Sequence, residues 1–504
     1  MPFRSIPRIL VALLAAALAA SLNLEATSLY GAGLSVDSSM YLRTAQSLVD
    51  GHGIPEWMVL WPPFYPSMLA LGSAISGHSN LQMCARIYAA LFHGLIVLAS
   101  AWLLDRQRMR NFFLYGSGLI AVAVCEPLFD TAIWATSEAT FVFSTLMALG
   151  FLDVAVISRR WKYLFLAAVF SAAATVTRYI GVTLILTGGF VLIFWHAERQ
   201  ENRRFILPFL GASTIPLVIW VIRNHRLTGT LTGTRSVASS HPFHSELLLA
   251  VQTVIKWPSL RIASAVAFGT AVLFAVNGRM KRVKKYSEGE FSQPMFALLW
   301  FSLIFIASIA ILECLIQFDE PNFRLMIPVT GAAFLYMLAW CDRLVGWMEE
   351  YRRWIGRATA AVLSAILIVG PLSSTFSAAR ADSIEGAGGF NTRYWHEHPL
   401  INYVSRNPTD RKFASNTPEV FYLLLGKDVA LTPKKQSDER YPQGLDGTWP
   451  EQPHTLLAWF GRNAWRSYLV DLDSLSNVAD MQLVMDFSDA VLLDVSPHSG
   501  NHEK

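Results

Sequence analysis

Residues Ile9–Leu24 read ILVALLAAALAASLNL, an uncharged run preceded by Arg4 and Arg8 and followed within a few residues by a polar loop. Stretches of this kind recur, among them Ile87–Leu104 and Phe141–Ile157. Each is close to the ~20 residues that a bilayer core demands of a helix. Across the 504 residues 53% are hydrophobic and only 15% charged, against roughly 25% charged in soluble domains. A single anchor does not account for this; the chain is expected to be a polytopic membrane helix bundle, mainly α.

The cations arrive in bursts between the apolar stretches: Arg106, Arg108 and Arg110, then Arg159, Arg160 and Lys162, then Arg199, Arg203 and Arg204, then Arg279–Lys285, then Arg343–Arg357. Short cytoplasmic loops carry an excess of Lys and Arg. One arrangement satisfies every burst: N-terminus inside, about eleven spans, the last one Thr359–Phe376 leaving on the outside. Residues 1–378 then form the membrane domain, with 30–80 as a first outer loop. Residues 379–496 form a small extracytoplasmic α/β domain, and 497–504 a disordered tail. The competing reading of Arg4, Arg8 and the alanine-rich run as a cleaved signal peptide leaves the first outer loop on the same side. A net charge of +4 makes no case for nucleic acid. Cys84, Cys125, Cys314 and Cys341 lie in or beside apolar spans, so neither a disulfide framework nor a zinc site is expected.

The loop 30–80 is too long for an ordinary connection. Ser38–Val49 has helical apolar spacing, which predicts an interfacial helix with Asp37 or Ser38 as N-cap and Gly51–Gly53 as its stop. A second short helix is expected over Ser67–Ile75, after Trp61-Pro62-Pro63. In the C-terminal region, 412–415, 428–431, 467–471 and 481–485 read as strands, with helices over 419–425 and 455–463.

Asp37 is the first candidate base; a carboxylate beside an amphipathic helix at a membrane surface is open to partial desolvation, and helix capping is its bland alternative. Glu138 stands at the outer end of a span, where it would assist the base or simply oppose the helix dipole. Arg178 and Arg324 have the chemistry to grip a phosphate, or else to snorkel or to pair with an acid such as Asp319 or Glu320. Arg223, with Gly229, Gly233 and Arg235, marks a glycine-punctuated loop. His241-Pro-Phe-His244 and His396-Glu-His398 lack convincing ligand spacing, so no metal is expected at either. No Walker loop and no GxGxxG after a strand is present, so any group donor would arrive in the membrane. A transporter would more naturally show related halves, broken helices and mid-membrane charges. A scaffold would leave the loop around Asp37 unexplained.

Asp37-Ser-Ser-Met-Tyr41, Gly51-His-Gly53 and Trp61-Pro-Pro-Phe-Tyr-Pro66, followed in order by Ser137-Glu138, Thr177-Arg-Tyr-Ile-Gly181, Arg223-Asn224 and Arg324–Pro328, resemble the GT-C membrane glycosyltransferases. The nearest branch is the bacterial type similar to dolichyl-phosphate-mannose-protein mannosyltransferases and aminoarabinose transferases. Phe64 and Leu325 depart from its usual leucine and tyrosine, and Glu56, between the glycines and Trp61-Pro-Pro, is a third departure. The resemblance implies a polyprenyl-phosphate-sugar donor, a glycan, lipid or protein acceptor and an inverting transfer on the extracytoplasmic face of the cell's inner (plasma) membrane. It makes Asp37 the general base and Glu138 a second catalytic acid. Arg178 and Arg324 would hold the lipid phosphate, and Tyr41, Glu56, Trp61, Tyr65, Arg223 and Arg235 complete the substrate site. No cofactor is implied, with a divalent metal left open. A polymerase or ligase using a lipid-diphosphate oligosaccharide is the rival enzyme.

Overall fold

The structure, a computed structural model, describes residues 5–77, 80–194, 204–233, 242–257, 260–261, 264–265, 296–316, 322–435, 449–462 and 466–498. The chain divides into two compact units, Met1–Ser28 with Tyr41–Ser383, and Leu29–Met40 with Ile384–Lys504.

The first unit is helical. Its elements are α1 (Ile6–Ala26), α2 (Val36–Val49, shared with the second unit), α3 (Phe64–Ser76), α4 (Leu81–Arg106), α5 (Phe112–Ala123), α6 (Glu126–Ala132), α7 (Glu138–Ser158) and α8 (Trp161–Thr175). They continue with α9 (Val182–Phe194), α10 (Ile206–Thr228), α11 (Phe243–Ile255), α12 (Phe296–Leu315), α13 (Phe323–Tyr351) and α14 (Arg353–Glu385). Among the described residues, seven are long and apolar enough to cross a bilayer, and α5 with α6 makes an eighth if that pair, bent by 42°, is one span. The count of eleven is not reached by helices of spanning length. Helices α8, α9 and α11 have 15, 13 and 13 residues, roughly 20 Å each at the α-helical rise, and the burst at 279–285 lies outside the described residues.

The bend between α5 and α6 is a break that hydropathy does not reveal. Pro127 in the first turn of α6 cannot continue the ladder of α5. The carbonyl of Val124, freed at the break, accepts a hydrogen bond of 2.8 Å from the Thr375 hydroxyl. Irregular backbone at membrane depth survives where protein groups satisfy it in this way.

Helix α1 is built into the bundle. Gly94 of α4 lies so close that an added Cβ would stand 3.2 Å from the Ala16 carbonyl oxygen. Arg8 is buried; its guanidinium donates to Asp105 at 2.9 Å and to the Met109 carbonyl at 2.5 Å, and lies over the Tyr115 ring. Removing one partner of a buried pair strands the other charge. Arg8→Ala is therefore expected to destabilise the unit by about 3–5 kcal/mol, read as a lowered melting temperature that Asp105→Asn in the same chain does not lower further.

The second unit holds a five-stranded sheet in the order β2-β1-β3-β5-β4. Its strands are β1 (Phe413–Ser415), β2 (Ala430–Leu431), β3 (Thr455–Phe460), β4 (Ala479–Phe487) and β5 (Ala490–Pro497). Strand β1 runs parallel to β2 and β3, whereas β5 is antiparallel to β3 and β4. The small α/β domain is present, with corrections. Residues 455–460 are the central strand, not a helix: Leu456, Leu457, Ala458 and Phe460 are all buried, and a short apolar run flanked on both sides shows no alternation that would mark it as a strand. Residues 467–471 carry only an isolated bridge, Leu469 to Lys434. Strand β5 escaped the sequence reading altogether. Residues 29–40 belong to this unit because the Asn391 amide donates to the Tyr30 and Ala32 carbonyls at 2.6 and 2.8 Å, and Leu34 bridges Gly389.

His398 of this unit donates from Nε2 to Asp489 at 3.0 Å while its Nδ1 accepts from the Leu400 amide at 3.1 Å, and Tyr394 donates to Asp489 at 2.7 Å. An acceptor role at Nδ1 requires the neutral ring. Burial pushes His398 below the usual 6.5, against the pull of Asp489. Hydrogen bonds from Tyr394 and His398 outweigh burial and hold Asp489 below 3.8. In both cases the unfolded chain binds protons more readily, so acid favours unfolding. The unit is expected to lose stability first as pH falls below 6.5 and again below 3.8. Hydrogen exchange of the 455–460 amides in the full-length protein is the check, their protection factors, corrected for the intrinsic pH dependence of exchange, falling on acidification below pH 6.5.

Candidate active site

Connectivity alone brings several segments to one end of the first unit. Helix α1 ends, α4 and α7 begin, α8 ends, α9 begins, α10 ends and α13 begins there. Hydrogen bonds tie these segments together. The Phe64 amide donates to the Val176 carbonyl at 2.9 Å, and Tyr179 donates to the Val59 carbonyl at 2.6 Å. The opposite end carries the Arg8–Asp105 pair, and there Asp342 accepts from the Arg110 and Asn111 amides at 2.8 Å each. The described basic bursts, 106–110, 159–162 and 343–357, all lie at that second end.

The helix bearing Asp37 begins two residues earlier than its apolar spacing suggests, and this changes the N-cap. Ser35 and Ser38 bond reciprocally: the Ser38 amide donates to the Ser35 hydroxyl at 3.2 Å and the Ser35 amide to the Ser38 hydroxyl at 2.9 Å. That is a capping-box exchange with serine in both roles. Asp37 sits inside the first turn of α2, partly buried, and does not serve as the cap. The helix stops at Val49, and Gly51 and Gly53 take left-handed φ of +79° and +80° that other residues adopt only at a cost.

Tyr41, one turn after Asp37 on the same helix, is buried and shares a hydrogen bond of 3.1 Å with the Ser137 hydroxyl. Its ring meets Tyr65 edge-on at 5.1 Å. Burial, with Tyr41 and Glu138 alongside, keeps the Tyr65 phenol far above its usual range and hence neutral. Glu138, next to Ser137, begins α7 with its side chain 2% exposed. One carboxylate oxygen, Oε1, receives Arg178 Nη1 at 2.5 Å and also Arg324 Nε. The other, Oε2, has no hydrogen-bond partner among the described residues.

Local structure aims both arginines. Arg178 precedes a 3₁₀ turn over Tyr179–Gly181, and its amide bonds the Ala174 carbonyl at 2.9 Å. A Cβ on Gly181 would meet the backbone of Ala174 and Thr175 at 2.7 Å, so only glycine lets the turn fold back on the end of α8. Arg324 lies in the first turn of α13, whose N-cap Asn322 accepts from the Leu325 amide at 3.0 Å. The arginine side chains remain 23% and 40% exposed. Two cations against one carboxylate leave a net positive charge with accessible N–H groups, suited to an anionic ligand.

Arg223 is placed differently. Its guanidinium donates to the carbonyls of Ile54 (3.0 Å), Pro55 (2.7 Å) and Met58 (3.3 Å) and stacks over Trp220, clamping the first outer loop. Glu56 is exposed and Trp61 partly buried in that loop. Arg235, Asp319, Glu320 and His241 lie outside the described residues. His396 stacks on Tyr30 at 3.8 Å and bonds Asn391 at 2.7 Å. Among the described residues no three His, Cys, Asp or Glu side chains converge on a metal-sized site. Sequence reasoning overlooked Tyr179 as a hub. Its hydroxyl, besides bonding Val59, receives Trp220 Nε1 at 2.9 Å and Asn224 Nδ2 at 3.0 Å. The only sequence signal for it was its place in Thr177-Arg-Tyr-Ile-Gly181.

Residues 61–222 match the family model described as dolichyl-phosphate-mannose-protein mannosyltransferase. No curated protein matches the sequence. Among solved structures, ArnT from Cupriavidus metallidurans is similar in its apo state, with TM-score 0.60 and 12% identity over 95% of this chain and 97% of that one. The same protein bound to undecaprenyl phosphate matches at TM-score 0.60 and 12% identity over 98% and 99%. The archaeal oligosaccharyltransferase AglB from Archaeoglobus fulgidus, in complex with an inhibitory peptide and a dolichol-phosphate, matches at TM-score 0.53 and 11% identity over 97% and 74%. The fold is thus ArnT-like, and the family model matches residues 61–222 of the stretch in which the sequence resemblance was read.

Proposed function

We propose that this chain is a membrane glycosyltransferase that moves a sugar from a polyprenyl-phosphate carrier to an acceptor on the extracytoplasmic side of the cell's inner membrane. The observation that carries the reading is the Glu138 carboxylate held between Arg178 and Arg324 beside Tyr41 and Tyr65. This cluster occupies the bundle end opposite the described basic bursts, which the excess of Lys and Arg in short inside loops assigns to the cytoplasm. Far from cytosolic nucleotide sugars, a site there suits a donor carried in the bilayer. Support also comes from the similar ArnT, which is seen with undecaprenyl phosphate.

In this mechanism the acceptor nucleophile attacks the anomeric carbon from the face opposite the phosphate. The bond from that carbon to the phosphate oxygen breaks, the electron pair leaves with the lipid phosphate, and the configuration inverts. Asp37 takes the acceptor proton. Arg178 and Arg324 stabilise charge that grows on the departing phosphate, an interaction stronger in the transition state than in the ground state. Glu138 holds the two guanidinium groups in place between turnovers. Tyr41 and Tyr65, buried and edge-on to each other, shape the wall of the sugar pocket.

The test is to purify the chain in lipid nanodiscs and offer polyprenyl-phosphate sugars, hexosyl and pentosyl, alongside a polyprenyl-diphosphate oligosaccharide. Transfer from a monophosphate donor supports the proposal. The diphosphate donor belongs to the rival reading; transfer from it alone would replace this one with a ligase or polymerase. Intact, folded protein that binds no lipid-linked donor would end both.

A further inference from the structure

At the end of the bundle opposite the candidate active site, a cavity of about 110 Å³ lies between the end of α4 and the last turns of α7, lined by Leu103, Arg106, Gln107, Arg108, Gly150, Asp153 and Ile157. Its cations are poorly compensated. Arg106 is partly buried and Arg108 exposed on the turn beyond α4, and among the described residues neither side chain makes a hydrogen bond or an ion pair. Asp153 attracts Arg106 only at longer range, being drawn also to the Ala297 amide in the first turn of α12. Gln107 accepts from Arg343 at 3.4 Å, which leaves its amide N–H groups for another partner. Arg108 holds a left-handed φ of +56°, the sharp turn that returns the chain beside the cavity. Trp161, half exposed, and Tyr163 begin α8 at this same end, where aromatic rings mark the headgroup level.

A partly buried guanidinium without an ion-pair partner, beside a second cation and an amide donor at headgroup depth, calls for an oxyanion. We propose that this cavity binds the phosphate of an anionic glycerophospholipid from the cytoplasmic leaflet. Basic pockets between helices on that side are suited to such headgroups. The site is separate from the candidate active site and uses none of its residues.

The same phosphate chemistry is offered by soluble phosphate, and the experiment separates the two. The full-length chain in phosphatidylcholine nanodiscs is titrated with a fluorescent phosphatidylglycerol, and separately with inorganic phosphate, while melting is followed. Each near-surface cation contributes about a fivefold factor to anionic-lipid binding, so Arg106→Gln with Arg108→Gln is expected to weaken phosphatidylglycerol binding by about thirtyfold. Arg159→Gln, at the same end but off the cavity, is expected to leave it nearly unchanged. Should the double variant fail to fold, Arg108→Gln alone carries the test at about fivefold. Equal phosphatidylglycerol affinity in the variant and wild type would overturn the proposal. So would equal loss in Arg159→Gln, which would mean diffuse surface charge, or raised melting with inorganic phosphate and none with the lipid.

Discussion

Asp37→Asn is expected to slow sugar transfer by about 10²- to 10⁴-fold, the usual contribution of a positioned general base, and to leave the protein folded. The two halves of this expectation have separate causes. Capping of α2 rests on the Ser35–Ser38 exchange, so asparagine at position 37 removes no cap. Loss of a negative charge from the first helical turn costs only about 0.3–1 kcal/mol. The catalytic loss follows because an amide takes no proton, and the acceptor must then attack undeprotonated. Single-turnover transfer and the melting curve, measured on the same preparation, check both halves. Transfer that continues undiminished removes Asp37 as the base. Slow transfer accompanied by a collapsed melting curve would return it to a purely structural role.

Glu138→Gln is expected to lower stability by about 3 kcal/mol, the lower end of the range for breaking a buried pair. The lower end applies because Arg178 and Arg324 are partly exposed and water screens them. The variant keeps the shape of the side chain and loses its charge, leaving two guanidinium groups facing each other across a neutral amide. A lipid phosphate that sits on those arginines supplies the missing negative charge. Undecaprenyl phosphate is therefore expected to raise the melting temperature of Glu138→Gln more than that of wild type, by linkage of binding to folding. Arg178→Gln in the same background abolishes the gain. An equal shift in wild type and variant would mean that the phosphate does not use this pair.

These expectations rest on features of unequal visibility in the sequence. Spans such as Ile6–Ala26 and Leu81–Arg106 were legible because transfer into lipid is a property of the local run, and the cationic bursts mark ends because their cost in the bilayer is local too. The stop of α2 was legible in Gly51 and Gly53. Helix α3 was legible in part, the structure extending the expected Ser67–Ile75 to Phe64–Ser76. The break at Val124 was hidden because its freed carbonyl is satisfied by Thr375, 251 residues away. The 455–460 segment was misread because only its neighbours on both sides make it a central strand.

The candidate site divides along the same line. Residue types and their order brought Asp37, Tyr41, Glu138, Arg178 and Arg324 forward from the sequence by itself, since a carboxylate or guanidinium at a span end is conspicuous wherever it falls. Which partner each one takes was a tertiary matter. Glu138 meets Arg178 across 40 residues and Arg324 across 186, and Arg223 spends its donors on the loop carbonyls of Ile54, Pro55 and Met58. A charged side chain announces its need for a partner in the sequence, but the partner is chosen by whichever helix ends the packed bundle brings within hydrogen-bond reach.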